Sequence, residues 1–448
     1  MLTAILFLLL QLLSMVVFFN RYIAGIAVKF LRKEAFQDAD YRLQPTVTVV
    51  VPMFNEGKAI QQTLESLLAL DYPHARLDIT VIDDCSTDDS YRHASEIAAR
   101  SGGRVRVLRN PRNMGKRRSI NRAVLASSAE IIVSVDSDVI VDRAAIRHLV
   151  ARFTRPEIAA VGGKIDIGNK HDNWLTKMQA IKYFYGYHSL KNLEWSFQRI
   201  MCLSGCLTAY RRNVLLELHQ TLENRSFCGV QIKYGEDRFL TRQIIKAGYF
   251  TTMTLDAVCW TQAPRRIQDY LSQQLRWRRS NVVDYIGGLS HVWRLNPMIA
   301  VHYFSLSALL LAYPALLMSS IVHGTLFSVM LRQVVIAAVL GLVYYWKAGK
   351  LPMERVHPLA FVPMALVVPV IYALLTPLAL FTLDSGSWET RGHDDVEPQP
   401  ELADGVDEPA SVVTASPVAV TAATAAVSVA AAATQVASAT GRFELPAA

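Results

Sequence analysis

Thr46-Val47-Thr48-Val49-Val50-Val51-Pro52 is the stretch that decides the fold. A run of mostly β-branched residues closed by proline reads as a buried strand. The chain then turns at Asn55-Glu56-Gly57 and shows helical spacing of apolar residues over 59–70. The same alternation continues with a strand at 77–82, a helix at 92–100, a strand at 105–108, a helix at 116–127 and a strand at 131–135. About four such repeats predict an α/β domain with a mainly parallel sheet covered by helices. Ligands of such sheets bind beyond the carboxyl ends of the strands. The polar clusters lie at those ends, as Asp83-Asp84-Cys85-Ser86-Thr87-Asp88-Asp89 and Asp136-Ser137-Asp138.

Each cluster has a plainer reading. The first could be a turn with a helix cap at Thr87 or Asp88. Asp-x-Asp is weak alone, but Mg²⁺ is commonly held by one or two carboxylates plus substrate phosphates. Further along, 159–163 reads as a strand and 173–193 as an aromatic helix. The tyrosines of that helix and Phe184 are expected in the core or at a membrane surface. Residues 202–212 read as a strand with a small-residue turn, where Gly205 allows close approach of a bulky group.

Two later stretches carry the chemistry. Tyr234-Gly235-Glu236-Asp237-Arg238 sets two carboxylates in a short turn ahead of a helical run at 239–247. Gln273-Gln274-Leu275-Arg276-Trp277-Arg278-Arg279 gathers amides, an indole and three guanidinium groups on a helix. The first suits proton removal. The second suits gripping a diphosphate and stacking on a sugar. Glu236 could tune Asp237 by like-charge proximity, or serve structure only. Trp277 could equally be a core residue.

The chain has 448 residues, is 52% hydrophobic and carries a formal charge of +8. Its mean hydropathy of +0.22 is high for a soluble protein. The apolar residues gather at the N-terminus and after about residue 298. A basic body beside apolar runs fits anionic lipid headgroups and phosphorylated substrates. No zinc spacing or basic repeat points to nucleic acid. The five cysteines are an odd count, and Cys202 and Cys206 lack a second metal-binding pair, so reduced and mostly buried thiols are expected.

Residues 2–19 and 22–31 are apolar, with Arg21, Lys29, Arg32 and Lys33 among and after them. A signal peptide would want positive charge before the run, and Met1-Leu2-Thr3-Ala4 has none in its side chains. A retained membrane helix over 1–31, with its C-terminal end in the cytoplasm, is the expectation. Residues 269–287 are amphipathic and basic, suiting a helix in the headgroup region. Three apolar runs follow, at about 298–322, 323–346 and 355–383, each long enough to span. Arg332 interrupts the second, as a functional charge or a snorkelling one. Pro358, Pro363, Pro369 and Pro377 interrupt the third, where kinks or a re-entrant segment are expected. Residues 393–448, acidic and then rich in Ala, Val and Thr, read as a disordered tail, with a weak further membrane helix at 412–436 as the alternative.

Together these pieces resemble the membrane-embedded family 2 glycosyltransferases, which include hyaluronan synthases, the rhizobial chitin-oligosaccharide synthase and, more distantly, cellulose synthases. The resemblance runs from about Val47 to Arg391. It is carried by Val-Pro-Met-Phe-Asn-Glu (51–56), Ile-Asp-Asp-Cys-Ser (82–86), Asn-Met-Gly-Lys-Arg (113–117), Asp-Ser-Asp (136–138), Gly-Glu-Asp (235–237) and Gln-x-x-Arg-Trp (273–277), in the family's order. Ser-Trp-Glu-Thr-Arg (387–391) looks like the Trp-Gly-Thr-Arg signature of hyaluronan and chitin-oligosaccharide synthases, with Glu389 for its glycine.

The resemblance implies a GT-A-type domain over 45–263, interfacial helices over 264–297 and channel-forming membrane helices over 298–384. It implies that Glu56 and Asp84 hold uridine and Lys116 lies near the diphosphate. Asp138, with Asp136 behind it, matches a site for Mg²⁺ or Mn²⁺. Asp237 matches the general base. Gln273, Arg276 and Trp277 match the motif that closes over the diphosphate and stacks on the acceptor. Ser204, Gly205 and Cys206 lie where relatives read Ser-Gly-Pro near the acceptor. Trp388 and Arg391 match nucleotide-side positions. The implied partners are a UDP-sugar donor, a growing polysaccharide, membrane lipid and accessory export proteins. The implied activity is inverting, processive polymerisation. Transfer of one sugar to a lipid, or a non-catalytic export subunit, are the alternatives. Three true C-terminal crossings would put Trp388 on the wrong side for a nucleotide role, so an even number of crossings is expected.

Overall fold

The computed structural model describes residues 19–348 and 356–384, with scattered positions between 5 and 17. The Ser-Trp-Glu-Thr-Arg segment, the tail and most of the expected first membrane helix lie outside the described residues. Of that helix, a π-turn at Phe19–Ala24 and helix α1, Gly25–Leu31, are described.

Strand β1, Val47–Met53, is buried at every position, as its unbroken apolar run requires. It pairs in parallel with β2, Leu77–Asp83, and with β4, Ile131–Val135, while β3, Val105–Arg109, pairs in parallel with β2. The strand passes through Pro52 rather than stopping there. Pairing with β4 ends at Val50, so on that side no ladder partner waits for the missing N–H. Helices α2, Ala59–Leu68, α3, Ser90–Arg100, and α4, Lys116–Ala126, make the crossovers.

The sheet has eight strands in the order β3-β2-β1-β4-β7-β6-β10-β5. Here β5 is Ile140–Val141, β6 is Ile158–Ile167, β7 is Leu207–Arg211 and β10 is Phe250–Thr261. A two-residue hairpin, β8, Ser226–Phe227, and β9, Val230–Gln231, stands apart. The expected parallel character holds for β1 to β4. Strand β7 runs antiparallel between β4 and β6, pairing Leu207 with Val135 and Arg211 with Ile131. This reversal matters for the site: the segment entering β7, 204–206, meets the carboxyl ends of β1, β2 and β4.

Helices cover both faces. After α5, Ala145–Val150, the expected single aromatic helix is three pieces. They are α6, Trp174–Tyr185, a π-turn at Gly186–Leu190 and α7, Asn192–Ser196. Asn173 begins α6 with a reciprocal cap: its side chain accepts from Leu175 and Thr176 N–H, and the Thr176 side chain caps in return. Helices α8, Arg212–Glu223, and α9, Glu236–Lys246, precede β10. The core gathers Val49, Val50, Val51, Ile132, Val133 and Ile146, all fully buried. Each such side chain contributes roughly 1.5–3 kcal/mol by leaving water.

The basic amphipathic region at 269–287 is one long helix, α10, Ile267–Gly288. Its buried positions Tyr270, Gln274 and Arg278 recur every four residues. Helices α11, Pro297–Val322, α12, Leu326–Ala348, and α13, Phe361–Phe381, match the three apolar runs. Residues 326–346 and 361–381 are long and apolar enough to cross a membrane; the two halves of α11 qualify only together, bent by 50° between Leu310 and Ala312.

The bend corrects the expectation that kinks would fall in the third run. Pro314 has no N–H for the Leu310 carbonyl. Helix α13 continues through Pro369 and Pro377, held along its length by α6 and α10. Arg332 is exposed, two turns into α12.

Both ends of α13 rest on the catalytic half of the chain. Phe361 packs with Ile167, Ala180, Ile181 and Ala263. Ile371 packs with Leu175, Met178 and Tyr270. At the far end, Arg279 Nε donates to Thr382 Oγ1 at 3.0 Å and the Tyr234 hydroxyl donates to the Leu383 carbonyl at 3.0 Å.

Candidate active site

The loops after β1, β2 and β4 and the loop before β7 converge at one sheet edge. Asp84 is buried there, and its carboxylate accepts from Asn110 Nδ2 at 2.6 Å, Met114 N at 2.9 Å and Gly115 N at 2.7 Å. It therefore shapes the Asn113-Met114-Gly115 loop that opens α4. Glu56 Oε1 accepts from Ser137 Oγ at 2.9 Å, joining the first and fourth loops. In the acidic turn, Asp88 Oδ1 accepts from Ser90 N at 3.0 Å, a turn bond just ahead of α3; the N-cap position is Asp89, without a side-chain cap, so neither Thr87 nor Asp88 caps the helix as expected.

Lys116, the first residue of α4, is the hub. Its ammonium lies 2.6 Å from Asp136 Oδ1 and 2.8 Å from Glu236 Oε1. On the other side of Asp136, the Cys206 thiol donates to Oδ2 at 3.3 Å. Gly205 makes this possible, because a Cβ there would fall 2.9 Å from Lys116 Nζ. The Gly205 N–H faces Asp237 Oδ2 at 3.3 Å, and Arg238 N donates to Asp237 Oδ1 at 2.7 Å. Ser204 is turned inward on the loop: its Oγ accepts from Cys206 N at 3.3 Å.

The two adjacent carboxylates are driven apart electrostatically. Burial alone would raise Glu236, but Lys116 and then Arg276 outweigh it and hold that carboxyl well below its ordinary value. Asp237 is raised, by burial first and then by the negative charge of Glu236. Burial works against the charge on Lys116, yet Asp136 and Glu236 keep it protonated far above its usual range. Burial, then Asp136, pushes the Cys206 thiol up, so it stays a donor. Asp237 is thus the more basic of two neighbouring carboxylates, as a proton acceptor should be.

Arg276 and Trp277 reach this edge from α10. Arg276 Nε is buried and has no hydrogen-bond partner among the described residues, a donor suited to an anionic ligand. The Lys182 ammonium stands 5.6 Å from the Trp277 ring, and the Tyr183 ring lies 6.5 Å away. Lys182 also donates to Gln274 Oε1 at 2.9 Å, while Gln273 Oε1 receives Gln274 Nε2 at 3.4 Å. Trp388 and Arg391 lie outside the described residues.

A divalent cation has a fitting place. Asp138 Oδ2 accepts from Thr261 Oγ1 at 3.1 Å. Asp136 behind it is occupied by Lys116 and Cys206. Among the described residues no three His, Cys, Asp or Glu side chains gather as a metal cage. One or two carboxylates completed by substrate phosphates is the arrangement hard Mg²⁺-like ions accept.

Sequence reading missed several residues here. Tyr183 was grouped with the core or membrane-surface aromatics and Lys182 was not singled out; both fall off the buried pattern of Ile181, Phe184 and Tyr185, which was the available signal. Arg225 and Asp284 belong to no motif. All five cysteines are free, but only Cys259 is buried and Cys228 is exposed. Cys85 and Cys228 stand in loops at positive φ, and Cys202 and Cys206 in the site loop, so burial of most thiols does not hold.

A mixed sheet with acidic loops at its carboxyl edge, basic side chains beside them and a raised carboxylate fits a sugar-transferring enzyme of GT-A type. Residues 45–280 match the family described as "Glycosyltransferase like family 2". The chain belongs to glycosyltransferase family 2. It is 31% identical over 386 residues to an N-acetylglucosaminyltransferase of Rhizobium meliloti, covering 84% of this chain and 87% of that one. It is 30% identical over 365 residues to an N-acetylglucosaminyltransferase of Bradyrhizobium diazoefficiens, covering 78% and 72%. Among solved structures, a mannosyltransferase from Pyrobaculum calidifontis in complex with GDP-Man and Mn²⁺ shares the fold. Its TM-score is 0.57 at 19% identity, over 83% of this chain and 99% of that one.

Glu236→Gln removes the negative charge that raises Asp237. The acid limb of the turnover–pH profile then moves to lower pH, because the base stays ionised further into acid. A limb that stays in place or moves up would contradict the coupling.

Proposed function

We propose that the protein is a membrane-bound, processive, inverting transferase that extends a β-linked chain with N-acetylglucosamine from its UDP-activated form. The observation that carries this is Asp237, raised beside an ionised Glu236 and facing the Gly205 N–H, at the edge where Lys116 and Arg276 converge. The relatives' activity supports the sugar, and the resemblance of Glu56 and Asp84 to uridine-binding positions supports the nucleotide.

A sugar hydroxyl is a poor nucleophile at neutral pH. Asp237 takes its proton as the oxygen attacks the anomeric carbon, a contribution of roughly 10²–10⁴-fold. The bond to the diphosphate breaks in the same displacement, so an α-linked donor gives a β-linked product. Arg276 and Lys116 stabilise the charge gathering on the departing diphosphate. Asp138, with Asp136 behind it, would hold a Mg²⁺ or Mn²⁺ ion that neutralises the same phosphates; the Mn²⁺ of the archaeal mannosyltransferase complex supports that choice. Trp277, Tyr183 and Lys182 form a wall on which the acceptor sugar stacks.

The helices support a membrane path. Helix α11 leaves the catalytic half at His302, 3.6 Å from Glu194, and α12 returns to it at Tyr344, against Phe184. Together they make one out-and-back hairpin. A helix of α13's length extends about 30 Å, so if it crossed the bilayer one end would stand clear of a domain on one face. Both of its ends rest on that domain, so we assign α13 to the cytoplasmic membrane surface. Leu383 then stands at Tyr234, and nucleotide-side roles for Trp388 and Arg391 rest on the resemblance of 387–391 alone. The nascent chain would leave between the hairpin and the N-terminal helix, with accessory export proteins beyond.

In detergent micelles with Mg²⁺ or Mn²⁺, labelled UDP-N-acetylglucosamine alone gives oligomer or polymer. Asp237→Asn lowers turnover by about 10²-fold or more while keeping UDP affinity. A requirement for UDP-glucuronate, or a single sugar on lipid, would overturn the substrate reading. Full turnover in Asp237→Asn would overturn the base.

A cysteine at Asp384, in a variant lacking the native thiols, reacts with a membrane-impermeant maleimide only in inside-out vesicles. Labelling from the outer face would overturn the surface placement of α13.

A further inference from the structure

Asp284 lies seven residues beyond Trp277 on α10 and is buried. Its carboxylate receives Arg242 Nε at 3.1 Å, Arg225 Nη2 at 3.4 Å and Ser280 Oγ at 3.5 Å. Arg225 is the telling partner. Its Nη1 donates to the Tyr234 carbonyl at 2.5 Å and the Gly235 carbonyl at 2.8 Å. Those carbonyls immediately precede Glu236 and Asp237. The two guanidinium groups flank the Phe239 ring of α9, at 4.6 Å and 5.2 Å. The Tyr303 hydroxyl, from the start of α11, donates to the Asp284 backbone carbonyl at 2.6 Å.

The turn under this clamp is also tied by the Tyr234 hydroxyl on Leu383 and by Glu236 on Lys116, but Arg225 is the side chain that grips its two backbone carbonyls. Gly235 sits at φ +67° and gives α9 no side-chain cap. Its Cβ, if present, would fall 2.0 Å from Ser280 Oγ, so turn and helix are in direct contact. Helix α10 has anchors of its own further back: Lys182 on Gln274 at 2.9 Å, and Arg279 on Thr382 at 3.0 Å. Weakening the clamp removes the grip on the Tyr234 and Gly235 carbonyls while these anchors still hold the segment carrying Gln273, Arg276 and Trp277.

We propose that Asp284 is a positioning residue: through Arg225 it sets the Tyr234-Gly235 turn, and with it the Asp237 carboxylate, against the helix that grips the diphosphate. Asp284 and Arg225 touch neither donor nor acceptor. The proposal rests on Asp237 being the proton acceptor.

The test uses the full-length protein in detergent with UDP as the binding probe. Asp284→Asn keeps the shape but removes the charge that balances two buried guanidinium groups. Arg225→Lys keeps charge but offers a single ammonium where a fork spans two carbonyls and a carboxylate. Each variant lowers turnover at saturating donor by about tenfold or more, with calorimetric UDP affinity within about threefold of wild type. The double variant is within about threefold of the worse single one, because both break one clamp.

Full turnover in Arg225→Lys overturns the proposal even if Asp284→Asn fails to fold. So does UDP affinity that falls in step with turnover, or losses that multiply in the double variant. Asp237→Asn is the separate control. If it keeps full turnover, the base reading fails; if it is inactive while Arg225→Lys is normal, only the positioning role fails.

Discussion

The Lys116 ammonium between Asp136 and Glu236 is the contact on which the site depends. It ties the end of a central strand to the start of α9, two segments a hundred residues apart. A buried charge left without a partner is strongly destabilising, so the three groups hold one another in place. The same contact sorts two adjacent carboxylates into different roles. Glu236 spends its charge on Lys116. Asp237 accepts from the backbone N–H groups of Gly205 and Arg238, and burial and the negative charge of Glu236 outweigh the pull of Lys116 and Arg238 and raise it. Gly205 and the antiparallel course of β7 are the backbone conditions for this arrangement.

Around that contact the molecule is built as two grips on one turn. Helix α10 brings Arg276 and Trp277 to the donor side. The Asp284–Arg225 pair fastens the same helix to the carbonyls before Glu236. Tyr303 extends the clamp into the first apolar helix, His302 beside it lies against Glu194 of α7, and Thr382 and Leu383 return the last apolar helix to Arg279 and Tyr234. Catalytic turn and apolar helices are thus joined by direct contacts.

Much of this was legible in the chain. The β-branched run at 46–52 and the acidic turns after each strand give the parallel half of the sheet, because period and composition report local structure directly. Glu56, Asp84, Lys116, Asp136, Asp138, Gly205, Cys206, Asp237, Arg276 and Trp277 gather at one end of the molecule. What stayed hidden depends on long-range placement. Nothing at 207–211 announces an antiparallel strand inserted between two others. Asp284 and Arg225 look like ordinary surface charges until folding buries them together. Pro314 looks no more disruptive than Pro369; the difference is that α6 and α10 pack along the helix containing Pro369.

The central claim is that Lys116 and burial split the ionisation of Glu236 and Asp237. Infrared difference titration of the carboxyl stretches, comparing the wild type with Glu236→Gln and Asp237→Asn, reads this directly. The account predicts one carboxyl that stays ionised well below the ordinary carboxylate range, absent in Glu236→Gln, and one that protonates above it, absent in Asp237→Asn. Two carboxyls titrating together in the ordinary range would contradict it.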